Sequence, residues 1–329
     1  MSGAVTPGLV SVVVASYNHA TFLPQRMDSL LAQTYAAIEI IVIDDRSSDN
    51  SVDILRTYAT NPRVTLIVRE QNGGWVTVSN QGVGLARGQY VLFANCDDAC
   101  EPTMIERLVD GMRRTPTAGI SFCRSVLVDE RGGVSGDDFS VREPAFRLRC
   151  ATDTMLSGAE ITRFLFDSCV IPNLSAALIR RECFDTAGLL SGDYRVCCDW
   201  DLFFRIFAQY DAFYVAAPLN LFRQHSTTIR SSTKERVVYA EYIRLLLSRV
   251  RHPALSWADR SRARLKVMSI WSLHLISPSL GGLRDLRYHL GLVRHTDAAA
   301  LVYLPWALVT RVAQVIGKRL VGRSPAVGV

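Results

Sequence analysis

Within the first hundred positions, four apolar and β-branched runs alternate with stretches of helical periodicity, and that alternation leaves few folds open. Val10–Ala15 (VSVVVA) is nearly continuously apolar, the mark of a strand buried on both faces of a parallel sheet. Phe22–Gln33 follows with Phe22, Leu23, Met27, Leu30 and Leu31 at helical spacing. Ile38–Ile43 predicts a second strand and Ser51–Tyr58 a second helix, with Asp49 or Asn50 as its N-cap. Val64–Val68 is a third strand, Val76–Ala86 a short helix ended by Gly88, and Tyr90–Ala94 a fourth strand. Strands joined through single helices need right-handed crossovers, so this is an α/β chain with a parallel sheet and helices on both faces.

After Asp98 the regularity breaks. A helix over Pro102–Arg114 and a strand near Ile120–Phe122 lead into a Gly- and Asp-rich stretch, Asp129–Asp138, which reads as a hairpin or a loop. Ala159–Phe166 is expected as a helix, Ser175–Ile179 as a strand and Asp201–Gln209 as a helix. Phe213–Ala216 and Leu219–Arg223 read as two short strands parted by Pro218. From Val237 onward the pattern is helical, strongest over Val237–Val250, Asp259–Leu275 and Ala298–Leu320. The expected division is an α/β domain over residues 1–230 and a helical extension over residues 231–329.

With 49% hydrophobic and 21% charged residues, the 329-residue chain can bury a core, which excludes disorder as its main state. Near the C-terminus the longest uncharged apolar stretch, Leu301–Thr310, is half the roughly 20 residues that cross a bilayer. Met1–Leu9 lacks the basic start and apolar core of a secretory signal. Eight cysteines without CxxC spacing read as reduced, partly buried thiols rather than zinc ligands. These features predict a cytoplasmic protein, soluble or peripheral at the inner face of the membrane. Charge is uneven, since residues 230–329 hold 17 Lys and Arg against 5 Asp and Glu while the rest is net acidic. An acidic front suits a cation site, and a basic back suits an anionic partner.

In a doubly wound sheet, ligands bind beyond the carboxyl ends of the strands. Ser16-Tyr17-Asn18 follows strand one, Asp44-Asp45-Arg46-Ser47-Ser48-Asp49 follows strand two, and Asn95-Cys96-Asp97-Asp98 follows strand four. Adjacent carboxylates repel, and charges at the end of an apolar strand are costly unless paired. A divalent cation such as Mg²⁺ or Mn²⁺, taking one or two carboxylates plus substrate phosphates, would use them. The plainer alternative is that Asp97 and Asp98 cap the helix beginning near Pro102 or lie in a solvated loop.

The segments VSVVVASYNHATFLPQRMDSLLAQTYAAIEIIVIDDRSSDNS, EQNGG and FANCDD resemble family 2 of the glycosyltransferases. The likeness continues through Asp199-Trp200-Asp201-Leu202-Phe203-Phe204-Arg205, similar to the family's E-D-x-D-L-x-x-R. It reaches Phe222-Arg223-Gln224-His225, similar to its Y-R-x-H, and so spans roughly residues 9–230. The resemblance implies a GT-A fold, a Rossmann-like sheet that is mixed but mainly parallel, here with an α-helical C-terminal extension. It implies an enzyme that moves a sugar from a nucleotide-diphospho-sugar, UDP- or dTDP-linked, with inversion, and the expected task is extending a glycan in cell-surface polysaccharide synthesis; the charge of the basic tail, not a motif, points to a lipid-linked acceptor. The resemblance assigns Ser16, Tyr17 and Asn18 to the nucleotide and Asp45 to the base. Asn80, Asn95, Asp97, Asp98 and Arg223 fall in the donor site, Asp97 and His225 at a Mn²⁺ or Mg²⁺ ion, and Asp199 becomes the general base. Inversion needs a base to take the acceptor proton and charge stabilisation on the departing diphosphate, so the assignment is chemically coherent.

Three positions depart from the family pattern. Asn95 stands for the first acid of D-x-D, Ser79-Asn80 for Arg-Asn, and Cys198 for the Glu of E-D. They favour a rival reading, a non-catalytic partner protein of the same fold that binds a nucleotide sugar or glycan; Asp97, Asp199 and His225 count against it. A dinucleotide-dependent oxidoreductase fails because no G-x-G-x-x-G follows strand one. The Gly132-Gly133 region reads equally as an acceptor-side lid or a solvated hairpin. Trp75 and Trp200 read as core residues, as do Cys197 and Cys198. In the basic tail, Val302–Leu320 with Tyr303 and Trp306 reads either as a membrane-surface helix or as a helical cap on the domain or on a second subunit. Nucleic-acid motifs are absent, so no nucleic-acid partner is expected.

Overall fold

The computed structural model describes residues 5–226, 228, 232–253, 255–276 and 286–309. The chain divides into two compact units, the first comprising Met1–Ile161, Cys169–Asp193 and Cys198–His225. The second comprises Thr162–Ser168, Tyr194–Cys197 and Ser226–Val329.

The first unit opens with β1 (Thr6–Ser16), α1 (Leu23–Leu31), β2 (Ile38–Asp44), α2 (Ser51–Tyr58), β3 (Val64–Val68), α3 (Trp75–Leu85) and β4 (Gly88–Phe93). These four strands are parallel, in the order β3-β2-β1-β4. Val10, Val12 and Val14 of β1 and Ile40 and Val42 of β2 are fully buried, as expected of central strands covered on both faces. Tight packing of α3 onto this layer depends on Gly82, where a Cβ would lie 2.2 Å from a Val13 methyl.

Beyond β4 the sheet becomes mixed. β5 (Ala99–Cys100), α4 (Met104–Arg114), β6 (Ala118–Val128), β7 (Val134–Asp137), α5 (Pro144–Arg149), β8 (Thr154–Leu156) and α6 (Gly158–Asp167) come next. They are followed by β9 (Ala177–Arg180), α7 (Cys183–Ala187), α8 (Cys198–Ile206) and β10 (Asp211–Arg223). The full order is β3-β2-β1-β4-β9-β6-β10-β5, with β7 on β6 and β8 on β10. β9 runs antiparallel to both β4 and β6, while β10 runs parallel to β6.

Among the boundaries that differ from the sequence reading, three lie in the mixed half of the sheet and its helices. The two strands expected around Pro218 are one 13-residue strand, β10, because Pro218 falls at a register shift where the ladder is already interrupted. The strand expected over Ser175–Ile179 begins as a 3₁₀ turn, Leu174–Ala176, which Asn173 caps through its side chain. Helix α8 starts at Cys198 rather than Asp201, which puts Asp199 and Asp201 in its first turn.

The second unit is built on α9 (Glu235–Arg249), α10 (Trp257–Ile276) and α11 (Leu286–Asp297), followed by a 3₁₀ turn, Ala298–Tyr303. Ile243, Leu246, Val267, Met268, Trp271 and Val293 form its interior. Glu241 on α9 accepts the backbone N–H groups of Arg195 and Val196 at 2.8 Å each, and Asp297 pairs with Arg264 at 2.7 Å. The single helix expected over Ala298–Leu320 is instead a 3₁₀ turn followed by a helical run over 304–309. Pro305 lies in the first turn of that run, where its missing N–H costs nothing. Residues 310–320 lie outside the described residues. Among the described residues, no helix is long and apolar enough to cross a membrane.

Candidate active site

The parallel register sets Ser16 beside Asp44, so the ends of β1 and β2 meet at one edge. Ser16 donates to Asp44 at 3.1 Å, and Asp44 also receives the Ser47 N–H at 2.8 Å and the Ser47 hydroxyl at 2.6 Å. Asn18 and Arg46 adopt left-handed backbone angles, φ 55° and 64°, an uncommon conformation that asparagine tolerates best. Asn18 accepts the Ser48 N–H at 2.8 Å and gives its own N–H to Ser47, which laces the two loops together. Tyr17 between them is 47% exposed, open for stacking.

Asp45 is buried and heavily used. Its Oδ1 accepts from Arg69 at 2.7 Å and from the Gly73 N–H at 2.9 Å, while Oδ2 accepts the Gly74 N–H at 2.8 Å. Gly74, with φ 81°, is the N-cap of α3, so Asp45 places a negative charge at the start of that helix. Asn80, farther along α3, spends both ends of its amide on Leu190, accepting its N–H at 3.0 Å and donating to its carbonyl at 2.9 Å.

The end of β10 is fastened to the loop after β4. Asp98, 1% exposed, accepts the Arg223 N–H at 3.0 Å, the Asn173 amide at 2.8 Å and the Asn95 amide at 3.3 Å. Asn173 is in turn reached by Asn220, which also donates to Ser125 at 2.9 Å, so the carboxylate stands on a buried polar network. Asp97 and Asp98 thus serve the β10 junction and do not cap α4, whose N-cap is Thr103. The Arg223 guanidinium donates to the carbonyls of Asp97 and Asp129 at 2.7 Å each and to Gln25, and lies over the Phe22 ring. That fastens the Gly132-Gly133 region, a hydrogen-bonded hairpin turn between β6 and β7, to the same edge.

His225 Nε2 lies 2.9 Å from Asp97 Oδ2. The Asp97 hydrogen bond raises the pKa of His225. Burial pushes the Asp97 carboxyl up, but the His225 hydrogen bond and the charges of His19 and His225 outweigh it and hold the group below its ordinary value. For Asp98, burial reinforced by the Asp97 charge prevails and pushes the carboxyl up to about 7.

Arg26 and Asn173 are the residues that motif reading passed over. Arg26 is fully buried on α1, its three guanidinium nitrogens have no hydrogen-bond partner among the described residues, and its positive charge acts on Asp98, Cys96 and Cys100. It shares the inward face of α1 with Leu23, Met27 and Leu30, and a cation on an apolar stripe is the signal that would have found it.

Asp199 lies in the first turn of α8, with Oδ1 accepting the Trp200 N–H at 2.7 Å, and a carboxylate there is favoured by the helix dipole. Asp201 pairs with Arg205 at 2.9 Å, and Arg205 also donates to the carbonyls of Ala187 and Leu189. That half of the motif is structural. Trp200 is buried and stacked on Phe204, and Cys197 and Cys198 are buried and form no disulfide.

Among the described residues, no group of three or more His, Cys, Asp or Glu side chains gathers as a complete metal cage. Asp97 and His225 supply one carboxylate and one imidazole facing each other. That set fits a hard divalent ion whose remaining ligands come from phosphate oxygens and water.

The chain matches the model of Glycosyl transferase family 2 over residues 11–188. It is 31% identical over 190 residues to glycosyltransferase GlyG of Streptococcus pneumoniae, covering 56% of this chain and 60% of GlyG. To the uncharacterized glycosyltransferase YibD of Escherichia coli it is 40% identical over 100 residues, covering 30% of this chain and 29% of YibD. The chain therefore spans less than two thirds of these relatives. Among solved structures it resembles residues 1–349 of Staphylococcus aureus TarS, with TM-score 0.67 at 15% identity, covering 96% of this chain and 92% of that one. The Pyrobaculum calidifontis mannosyltransferase PcManGT, solved with GDP-Man and Mn²⁺, gives TM-score 0.54 at 18% identity, covering 94% and 90%. The likeness to both shows the GT-A fold. With the family model matching more than half of its length, the chain belongs to glycosyl transferase family 2.

Proposed function

We propose that this enzyme moves one sugar from a UDP- or dTDP-sugar to a hydroxyl of a glycan or lipid-linked acceptor, inverting the anomeric centre. The pathway is cell-surface polysaccharide synthesis on the cytoplasmic side. The observation that carries the reading is the Asp97–His225 pair at the edge where β10 meets the loop after β4, with Asp199 held on a separate element, α8. The solution of TarS with UDP-GlcNAc supports a uridine donor.

In this reading Tyr17 stacks on the base beside Ser16 and Asn18, and Asp45 orders the Gly73-Gly74 turn against which the base lies. Asp97 and His225 would hold a Mg²⁺ or Mn²⁺ ion, which when bound neutralises charge developing on the leaving diphosphate. Asp98, Asn95 and Arg223 fix the backbone around Asp97, and Asn80 fixes the segment at Leu190. Asp199 takes the acceptor hydroxyl proton as that oxygen attacks C1 opposite the leaving group. The 1–230 region is the catalytic domain and 231–329 its helical extension.

The test is calorimetric titration of UDP, dTDP, GDP and CDP, each with and without Mn²⁺. Metal-dependent binding of UDP or dTDP is the expected result. Absence of binding to all four by folded protein would refute the reading in favour of the non-catalytic alternative.

A further inference from the structure

Over residues 286–309 the second unit presents an exposed surface of one chemical kind. Tyr288 is 62% exposed, and Val302, Trp306 and Val309 are 74%, 69% and 63% exposed, with Trp306 and Val309 three positions apart on one side of the helical run over 304–309. Arg287 and Arg294, seven positions apart on α11 and therefore on one face, are exposed as well. The single carboxylate in this stretch, Asp297, is turned inward to Arg264 and contributes nothing to the surface charge. The sequence from residue 298 to 329 adds Arg311, Lys318, Arg319 and Arg323 and no Asp or Glu.

Large aromatic and aliphatic side chains standing in water on a unit that also exposes arginines are what an anionic interface accepts. Three occupants bear comparison. A second copy of this chain meeting the same face about a two-fold axis would bring two cationic patches together with no exposed carboxylate of residues 286–309 to offset them. Nucleic acid would use the arginines but leave Val302 and Val309 without a partner. A bilayer surface with anionic headgroups uses all of them. Tyr288 and Trp306 sit at headgroup level, the valines enter the acyl boundary, and the arginines meet lipid charge.

We propose that the face formed by α11 and residues 302–309 docks on an anionic lipid surface. This goes beyond the transfer reaction and does not depend on the donor assignment.

The experiment is sedimentation of the full chain with phosphatidylcholine vesicles, with and without phosphatidylglycerol, at low and high salt. Binding is expected only to the mixed vesicles and falls as salt rises, because the Debye length shrinks from about 10 Å at 0.1 M to about 3 Å at 1 M. Each cation near the surface is worth about fivefold in partitioning, so Arg287→Glu with Arg294→Glu should weaken binding at least about 25-fold. Val302→Ser with Trp306→Ser should weaken it about tenfold or more through the lost apolar contact. Nucleotide titration of both variants should match the parent protein, which separates this surface from the donor site. Equal binding to uncharged vesicles, or parental binding by the charge-reversed variant, overturns the proposal. So does a dimer, or a nucleic-acid complex, that these substitutions abolish while vesicle binding persists.

Discussion

Removing the Asp45 carboxylate should loosen the start of α3 before it does anything else. Asp45 is 2% exposed and joins Arg69, Gly73 and Gly74. Hydrogen bonds to a charged group are worth about 1.5–3 kcal/mol each, but the three do not add in full here. Gly73 and Gly74 are exposed, so water replaces much of what their N–H groups lose. The Arg69 side chain is 23% exposed and likewise recovers part of its solvation. The net loss for Asp45→Ala is therefore about 2–3 kcal/mol, nearer one full charged bond than three. In a unit of this size that lowers the melting temperature by roughly 5–10 °C. Asp45→Asn keeps one acceptor but sets an amide donor against a backbone donor, and should fall close behind. Urea denaturation followed by tryptophan fluorescence reads the change, with Arg69→Met as the partner variant, expected to cost less because the two glycine bonds survive. A melting temperature for Asp45→Ala within a degree or two of the parent would refute the argument, since it would mean that these bonds hold nothing. Loss of nucleotide binding without loss of stability would likewise show that the carboxylate serves the base directly rather than the turn.

Asp199→Asn should retain nucleotide binding and lose transfer by about 10²–10⁴-fold, since only the base is removed; calorimetry showing lost binding would place Asp199 at the donor instead. Arg26→Met leaves Asp98 without its buried counter-charge and should destabilise the protein by about 3 kcal/mol, with Arg26→Lys intermediate. A neutral or stabilising result in urea denaturation would show that the orphaned guanidinium costs more than its charge returns. Burial pushes the Glu39 carboxyl up, but hydrogen bonds from Ser11 and Arg87 outweigh it and hold the pKa below the ordinary value. A depressed carboxyl adds stability above its unfolded pKa of about 4.3 and loses it as the pH falls through the folded value. The melting-temperature gap between the parent and Glu39→Gln should therefore be open at neutral pH and close on acidification below about pH 4; a gap that persists there contradicts the assignment.

The first four strands and three helices were legible because each carries its own periodicity, and β1 to β4 pair in parallel as alternation requires. The mixed half was not, since β9 shows no sign in its own residues that it will run antiparallel between β4 and β6. The site divides in the same way. Positions at strand ends could be named from the motif, but what they bond to could not. Asn80 finds Leu190 across 110 positions, and Arg223 finds Gln25 across 198. Such pairings depend on chain crossing, to which local pattern is blind. Arg26 was legible in principle, as a cation on a buried stripe, although nothing in α1 names the acid that it faces.

The bond from the Arg223 N–H to Asp98 closes a loop of 125 residues, and it has a consequence for the order in which the protein is made. A nascent chain that has emerged only as far as α7 already holds the parallel half of the sheet and every residue up to Asp98. Yet Asp98 lacks its Arg223 partner until Asp211–Arg223 leaves the ribosome and pairs with β6. Truncated products therefore lack the bond between Arg223 and Asp98, however well their front half folds.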